Sequence, residues 1–365
     1  MTRMQNAVKP WRVLVKGFVM FSIMEFVFVS VLPGLQPPNL YAMLGMKRER
    51  FPLSTVAPTD ASLDVGNLDA MFATHVISGA KDPNEFRVLV LGDSAAWGIQ
   101  LTPGETLPGQ LDALHLACGT KNVRVYNLSY PRSSASKDLM ILDKAMGFQP
   151  DLILWFVTWY TLMPKTRVDH YLVTQNPAEF YKLGHRFDFL PRGFTAPTLA
   201  DTLFSRNRSF FRDVRFQLYA LIELATGKDQ IPGPPDKLPA KLSSDVTFEG
   251  LKPPTLNRLQ VSLDQVKDFY ALAEQTPVIL INEPMLIVNG DPNSDVRYNS
   301  YYPRWAYDQY REYLGEEAAA QNWNYMDLWN AFPAAYFAGT PLHLDPPGQH
   351  LLAETIAPAI EKACP

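Results

Sequence analysis

Three short, near-continuous apolar runs, Phe86–Leu91, Val123–Leu128 and Asp151–Val157, constrain this chain more than any other feature. Such runs suit strands buried on both faces, as in a parallel sheet covered by helices. Helical patterns separate them. One begins near Thr106, with Pro108 in its first turn and Leu107, Leu111 and Leu114 on one face, and a second runs from about Ser134 to Phe148. After Thr158 the alternation stops, and residues 165–255 read as a mostly helical insertion or cap. It is aromatic and basic at Phe204–Arg212 and proline-rich at Ile231–Pro235. A helix near Leu259–Glu274 then leads into Val278–Asn282, and one near Ala306–Gln321 leads into Tyr325–Leu328. A final helix spans Pro347–Lys362, with Asp345 as its N-cap. The expected fold is α/β, a doubly wound parallel sheet of the flavodoxin-like type with a helical insertion.

Composition narrows the function. With 33 basic against 37 acidic residues and a net charge of -4, the chain has no footprint for general phosphate-backbone binding, so nucleic acid is not an expected partner. Two cysteines are too few for a disulfide-built scaffold or a cysteine zinc cluster. No glycine-rich phosphate loop follows the first run and no CxxC occurs, so neither metal nor cofactor is expected.

The first segment reads as a membrane span. Val13–Leu32 carries only Lys16 and Glu25 as charges, and at 1.5 Å per residue it reaches about 30 Å, the thickness of a bilayer core. Arg3, Lys9, Arg12 and Lys16 lie at its start, which places the N-terminus in the cytoplasm and the rest of the chain outside. A cleaved signal peptide is the competing reading, although Pro33-Gly34-Leu35-Gln36 is a poor cleavage site. Glu25, near mid-span, costs about 2.5 to 3.5 kcal/mol on insertion scales. It is either a contact to another integral membrane protein or a protonated residue in a marginal anchor. The organisation expected is residues 1–35 as cytoplasmic N-terminus and signal anchor, 36–85 as a proline-rich tether, 86–164 and 256–365 as two parts of one core, and 165–255 as the insertion.

In an open parallel sheet, sites form at the carboxyl ends of strands. The first such turn, Leu89-Val-Leu-Gly-Asp-Ser-Ala-Ala-Trp-Gly98, places Ser94 between a buried strand and a helix, where turn N–H groups can face an oxyanion. A serine nucleophile needs a base. Of the six histidines, His343 is best placed, in a loop after the last strand and before the final helix; His350 falls inside that helix.

These pieces together resemble the SGNH or GDSL hydrolase superfamily: Gly92-Asp93-Ser94, Asn127-Leu-Ser-Tyr-Pro131, Pro150-Asp-Leu-Ile-Leu-Trp155 and the block His343–Glu354. The resemblance implies Ser94 as nucleophile and His343 as base. It leaves the anchor, tether and insertion unexplained, and three family positions differ. Arg132 or a neighbour stands for the oxyanion-hole glycine, Tyr160 for the asparagine, and Thr340 for the aspartate before the histidine. The expected oxyanion donors are therefore the Ser94 and Arg132 backbone and the Tyr160 hydroxyl. The orienting acid is Glu283, with Asp345 a weaker choice because it caps a helix, and a Ser-His dyad is the alternative. Asn282, Arg297, Asn299, Arg304 and Trp305, in a stretch dense in amide, guanidinium and aromatic groups, are expected either to contact a polar or glycan ligand or to form a packed loop.

Cys118 follows the first core helix and Cys364 the last; two such helices lying side by side would bring their C-terminal ends together, so a Cys118–Cys364 disulfide is expected. Two functions stay open. One is a membrane-anchored, extracytoplasmic O-acyltransferase or esterase acting on a cell-envelope glycan, partnered by a membrane-bound O-acyltransferase as the resemblance implies. The other is a catalytically silent SGNH-like subunit of a membrane complex.

Overall fold

The computed structural model describes residues 10–31, 40–45, 47–52, 68–195 and 241–364, with scattered positions between 214 and 225. Within them β1 (Glu85–Leu91), β2 (Ala117–Cys118), β3 (Lys121–Asn127), β4 (Leu152–Val157), β5 (Val278–Asn282) and β6 (Asn324–Asp327) form one sheet in the order β2-β3-β1-β4-β5-β6. All neighbours pair in parallel except β2 with β3. Without the two-residue β2, which the sequence pattern did not reveal, the order is that of a flavodoxin-like sheet.

Alternation along the strands assigns two cores. Leu89, Leu91, Ile153, Trp155 and Leu280 face one layer, formed by the helices Ala135–Ala145, Leu263–Ala273 and Arg304–Ala320. Val88, Val90, Leu152, Leu154 and Ile281 face the other, formed by Leu107–Ala113 and Pro346–Lys362. Every residue of β1 and β4 is buried. That is why these runs lack polar alternation. The helices begin where the caps predict: Thr106, Ser134 and Asp345 each accept from a backbone N–H of the first turn. The helix expected from Leu259 starts instead at Leu263, behind a 3-10 turn over Arg258–Gln260.

The core extends beyond its expected limits. Phe51 is fully buried, and Arg50 pairs with Asn127 at the exit of β3, so residues 47–52 pack on the core rather than serve as tether. At the start of the insertion, the helices Tyr171–Gln175 and Pro177–Arg186 bury Leu172, Phe180 and Leu183 in the same core as Leu139 and Met140. The stretches Phe204–Arg212 and Ile231–Pro235 lie outside the described residues. Pro10–Val31 forms one helix that exposes Leu14, Phe18, Met24 and Phe26. Among the described residues no helix is long and apolar enough to cross a membrane. The Glu25 side chain is outside that description.

Cys118 and Cys364 are disulfide-bonded, with Cα atoms 5.4 Å apart. Cys118 sits in β2 rather than at a helix end, but the helix before it shares a core with the last helix through Leu107, Leu111, Ile356 and Ile360, which brings the two sulfurs together. Cross-linking constrains the unfolded chain. Replacing both cysteines by serine should lower stability by about 2 to 4 kcal/mol, read from the denaturant midpoint.

Candidate active site

At the end of β1 the backbone has no room for a side chain. A Cβ on Gly92 would lie 2.9 Å from the Cβ atoms of both Ala96 and Phe156. The chain turns there into the short helix Ser94–Trp97, whose N-cap Asp93 accepts from the Ala95 N–H at 2.9 Å. The helix ends at Gly98, with φ at 81°, a conformation that favours glycine. From outside, the Arg50 guanidinium covers the Trp97 ring at 3.9 Å and donates to the Gly98 and Leu101 carbonyls at 2.8 and 2.9 Å. Ser94 therefore sits on a turn held from both sides.

His343 reaches it across the sheet. Its loop is closed by the Ala338 N–H donating to the His343 carbonyl at 2.9 Å and by pairing of Phe337 with Leu344. Its Nε2 lies 3.0 Å from the Ser94 Oγ, within hydrogen-bond reach. Burial lowers the His343 pKa below the ordinary 6.5, partly opposed by the negative charge of Asp93. The imidazole is thereby kept neutral, as a proton acceptor must be.

The acid expected for this pair is absent from its place. The Asp345 carboxylate caps the last helix, accepting from the Gly348 N–H at 2.8 Å. Glu283 is buried, and neither of its oxygens has a hydrogen-bond partner among the described residues. Burial first, then the charges of Asp93 and Asp138, raise its pKa well above the ordinary value, with Lys137 opposing. Its surroundings thus disfavour the ionised form, and it makes no hydrogen bond to His343. No described carboxylate contacts the imidazole, so the arrangement is a Ser-His dyad.

The oxyanion side is mixed. Arg132 has φ at 67°, in the left-handed region that glycine adopts freely. Neither the Ser94 nor the Arg132 N–H has an acceptor among the described residues, leaving both available for an oxyanion. Tyr160 does not supply a third donor, since its hydroxyl donates to Glu249 at 2.9 Å.

The five residues expected to contact ligand all make hydrogen bonds within the protein. Arg297, buried, donates to the carbonyls of Asp245, Thr247, Asn299, Ser300 and Tyr301. Asn299 is fully buried, with its amide on Leu286 and its oxygen accepting from Tyr301 and Tyr302. Asn282 joins Asp327, Tyr307 and Tyr310 under the sheet. Arg304 donates to the Ser294 carbonyl at 2.5 Å and Trp305 to the Val246 carbonyl at 2.6 Å. Asn282, Arg297 and Asn299 are buried, whereas Arg304 and Trp305 are half-buried.

Sequence reasoning missed the groups behind the site. Ser133 donates to Asp93 at 2.5 Å, and Lys137, buried, donates to the Gly92 and Tyr130 carbonyls, each at 2.6 Å. Lys137 opens a helix one residue before Asp138, a pattern that reads as solvated surface.

No protein-family model and no curated protein matches the chain. Among solved structures it is similar to a carbohydrate acetylesterase family member from Sinorhizobium meliloti, at 12% identity and a TM-score of 0.35, covering 76% of this chain and 98% of that one. It is also similar to the aryl esterase of M. smegmatis, at 10% and 0.37, covering 76% and 99%. A third is a member of the lipolytic protein G-D-S-L family from Veillonella parvula, at 14% and 0.36, covering 74% and 95%.

A side chain at a left-handed position costs about 1 to 2 kcal/mol, part of which glycine returns through its freer unfolded chain. Arg132→Gly should therefore raise stability by about 0.5 to 1 kcal/mol. Arg132→Val should lower it, both read by thermal or denaturant unfolding.

Proposed function

We propose that this chain is an SGNH-like serine acyltransferase or esterase, and the observation that carries the reading is the 3.0 Å approach of His343 Nε2 to Ser94 Oγ at the carboxyl edge of the sheet. With Nδ1 protonated, the Ser94 hydroxyl donates to Nε2. Attack of Oγ on an acyl carbonyl carbon forms the new C–O bond while the hydroxyl proton passes to Nε2. The negative charge collects on the former carbonyl oxygen, and the Ser94 and Arg132 N–H groups, which have no acceptor among the described residues, are the proposed donors to it. Collapse breaks the bond to the leaving group, which takes the proton from Nε2. An acceptor hydroxyl, or water, then repeats the sequence in reverse and restores Ser94.

The finer reading is an enzyme held at the outer face of a membrane by residues 13–32 and acting on a cell-envelope glycan. Its support is the exposed apolar surface of the Pro10–Val31 helix, the basic residues at its start and the disulfide, which suits an oxidising compartment. An acyl enzyme outside the cytoplasm needs its acyl group delivered across the bilayer, so the proposed partner is an integral membrane O-acyltransferase.

A fluorophosphonate should label Ser94 in the wild type, shown by peptide mapping, and His343→Ala should abolish the adduct. A folded wild type that takes no label, in the presence of its membrane partner, would instead favour the silent subunit. The pH dependence follows from the lowered His343 pKa. Neutral imidazole is the active form, so reaction with an activated ester should hold its plateau on acidification to below 6.5 and then decline. A midpoint above 6.5 would contradict the burial of the base.

A further inference from the structure

Beneath the dyad lies a cation that the acyl-transfer chemistry does not itself use. Lys137 is fully buried in the first turn of the helix Ala135–Ala145. Its Nζ donates to Gly92 O and Tyr130 O at 2.6 Å each and lies 2.9 Å from Asp138 Oδ1. Two of the three ammonium donors are thus spent on carbonyls, and the charge is paired with Asp138. Asp138 is itself fixed by the Trp155 indole N–H at 3.0 Å.

The two carbonyls are not equivalent neighbours of the helix. Gly92 lies two residues before Ser94, and Tyr130 two residues before Arg132. Lys137 is thus bonded to both segments that carry the available oxyanion N–H groups. The segments also touch directly, through the Tyr130 N–H to Gly92 O at 3.1 Å and Ser133 to Asp93 at 2.5 Å. Those bonds set their spacing at one edge. The ammonium sets it from below, at a point where charge-assisted bonds to carbonyls are stronger than neutral ones. Asp93, Asp138 and Glu283 are the acidic groups surrounding this cation.

We infer that Lys137 is a positioning residue, which aligns the Ser94 and Arg132 N–H groups on the oxyanion by clamping the backbone at Gly92 and Tyr130. The inference rests on the Ser94 acyl-transfer reading. It does not place Lys137 in contact with substrate.

The test compares wild type, Lys137→Met and Lys137→Arg on an activated ester and on its thionoester, with active sites counted by fluorophosphonate. Sulfur is a poorer hydrogen-bond acceptor than oxygen, so the ratio of the two rates reports the alignment of the oxyanion donors. Lys137→Met should lose acylation rate on the oxygen ester by about tenfold to a hundredfold with KM little changed, and its rate ratio should collapse toward unity. Lys137→Arg, which keeps the charge and the donors, should recover part of both. If Lys137→Met does not fold, Lys137→Arg alone decides, because the displaced guanidinium should lower the ratio in a folded protein. A reactive wild type whose ratio is reproduced by Lys137→Met, or by Lys137→Arg where Lys137→Met does not fold, overturns this inference alone. A wild type that is inert at Ser94 overturns the acyl-transfer reading, and this inference with it.

Discussion

The close approach of three chain segments at Gly92 governs the rest of the molecule. β1 is covered on both faces and paired on both edges; its only charged residues, Glu85 and Arg87, pair with each other at its start, and from Val88 to its end it is apolar. At its end, Ala96 and Phe156 approach so closely that only glycine fits. The backbone can pass only by turning at once into the Ser94–Trp97 helix. The serine therefore sits half-buried at the carboxyl edge of the sheet because of packing below it, and its position is fixed by the parts of the fold least able to move.

The same rigidity explains which features the sequence reveals. Phe86–Leu91 and Val278–Asn282 read as buried strands because burial on both faces removes polar alternation, and the structure places strands there. Ser94 and His343 stand out because each follows or precedes a recognisable element. What the sequence hides is where donors are spent. Tyr160 meets Glu249, and Arg297 meets Asp245, only after the insertion has folded back, at separations of 89 and 52 residues. In a list of residues, a guanidinium fully used on loop carbonyls looks the same as one facing a ligand. Lys137 is hidden for the opposite reason: its polar neighbours suggest solvent, whereas tertiary packing surrounds it.

The charges behind the site form one unit. Lys137 and Asp138 neutralise each other in a region where an isolated ion would be very costly. Burial raises the Asp138 pKa to about 6, with the Lys137 charge opposing, and pushes the Glu283 pKa well above the ordinary value, which disfavours further negative charge near the dyad. Asp93 is held by Ala95 and Ser133, so its field acts on His343 from a fixed place. Without a carboxylate on Nδ1, that field is the electrostatic support the structure gives to an imidazolium.

A dyad of this kind favours one sort of reaction. In a triad the acid fixes the tautomer of the base and stabilises it when it is protonated. Here the tautomer is set by Ser94 alone among the described residues. The base is weakened by burial. Proton abstraction is then less favourable, and the barrier falls most for a substrate whose carbonyl is already activated and whose leaving group needs little help. A thioester or a similarly activated acyl carrier meets that requirement better than an ordinary ester. On the proposed acyl-transfer reading, such a site suits receiving a prepared acyl group and passing it on more than attacking stable esters in bulk.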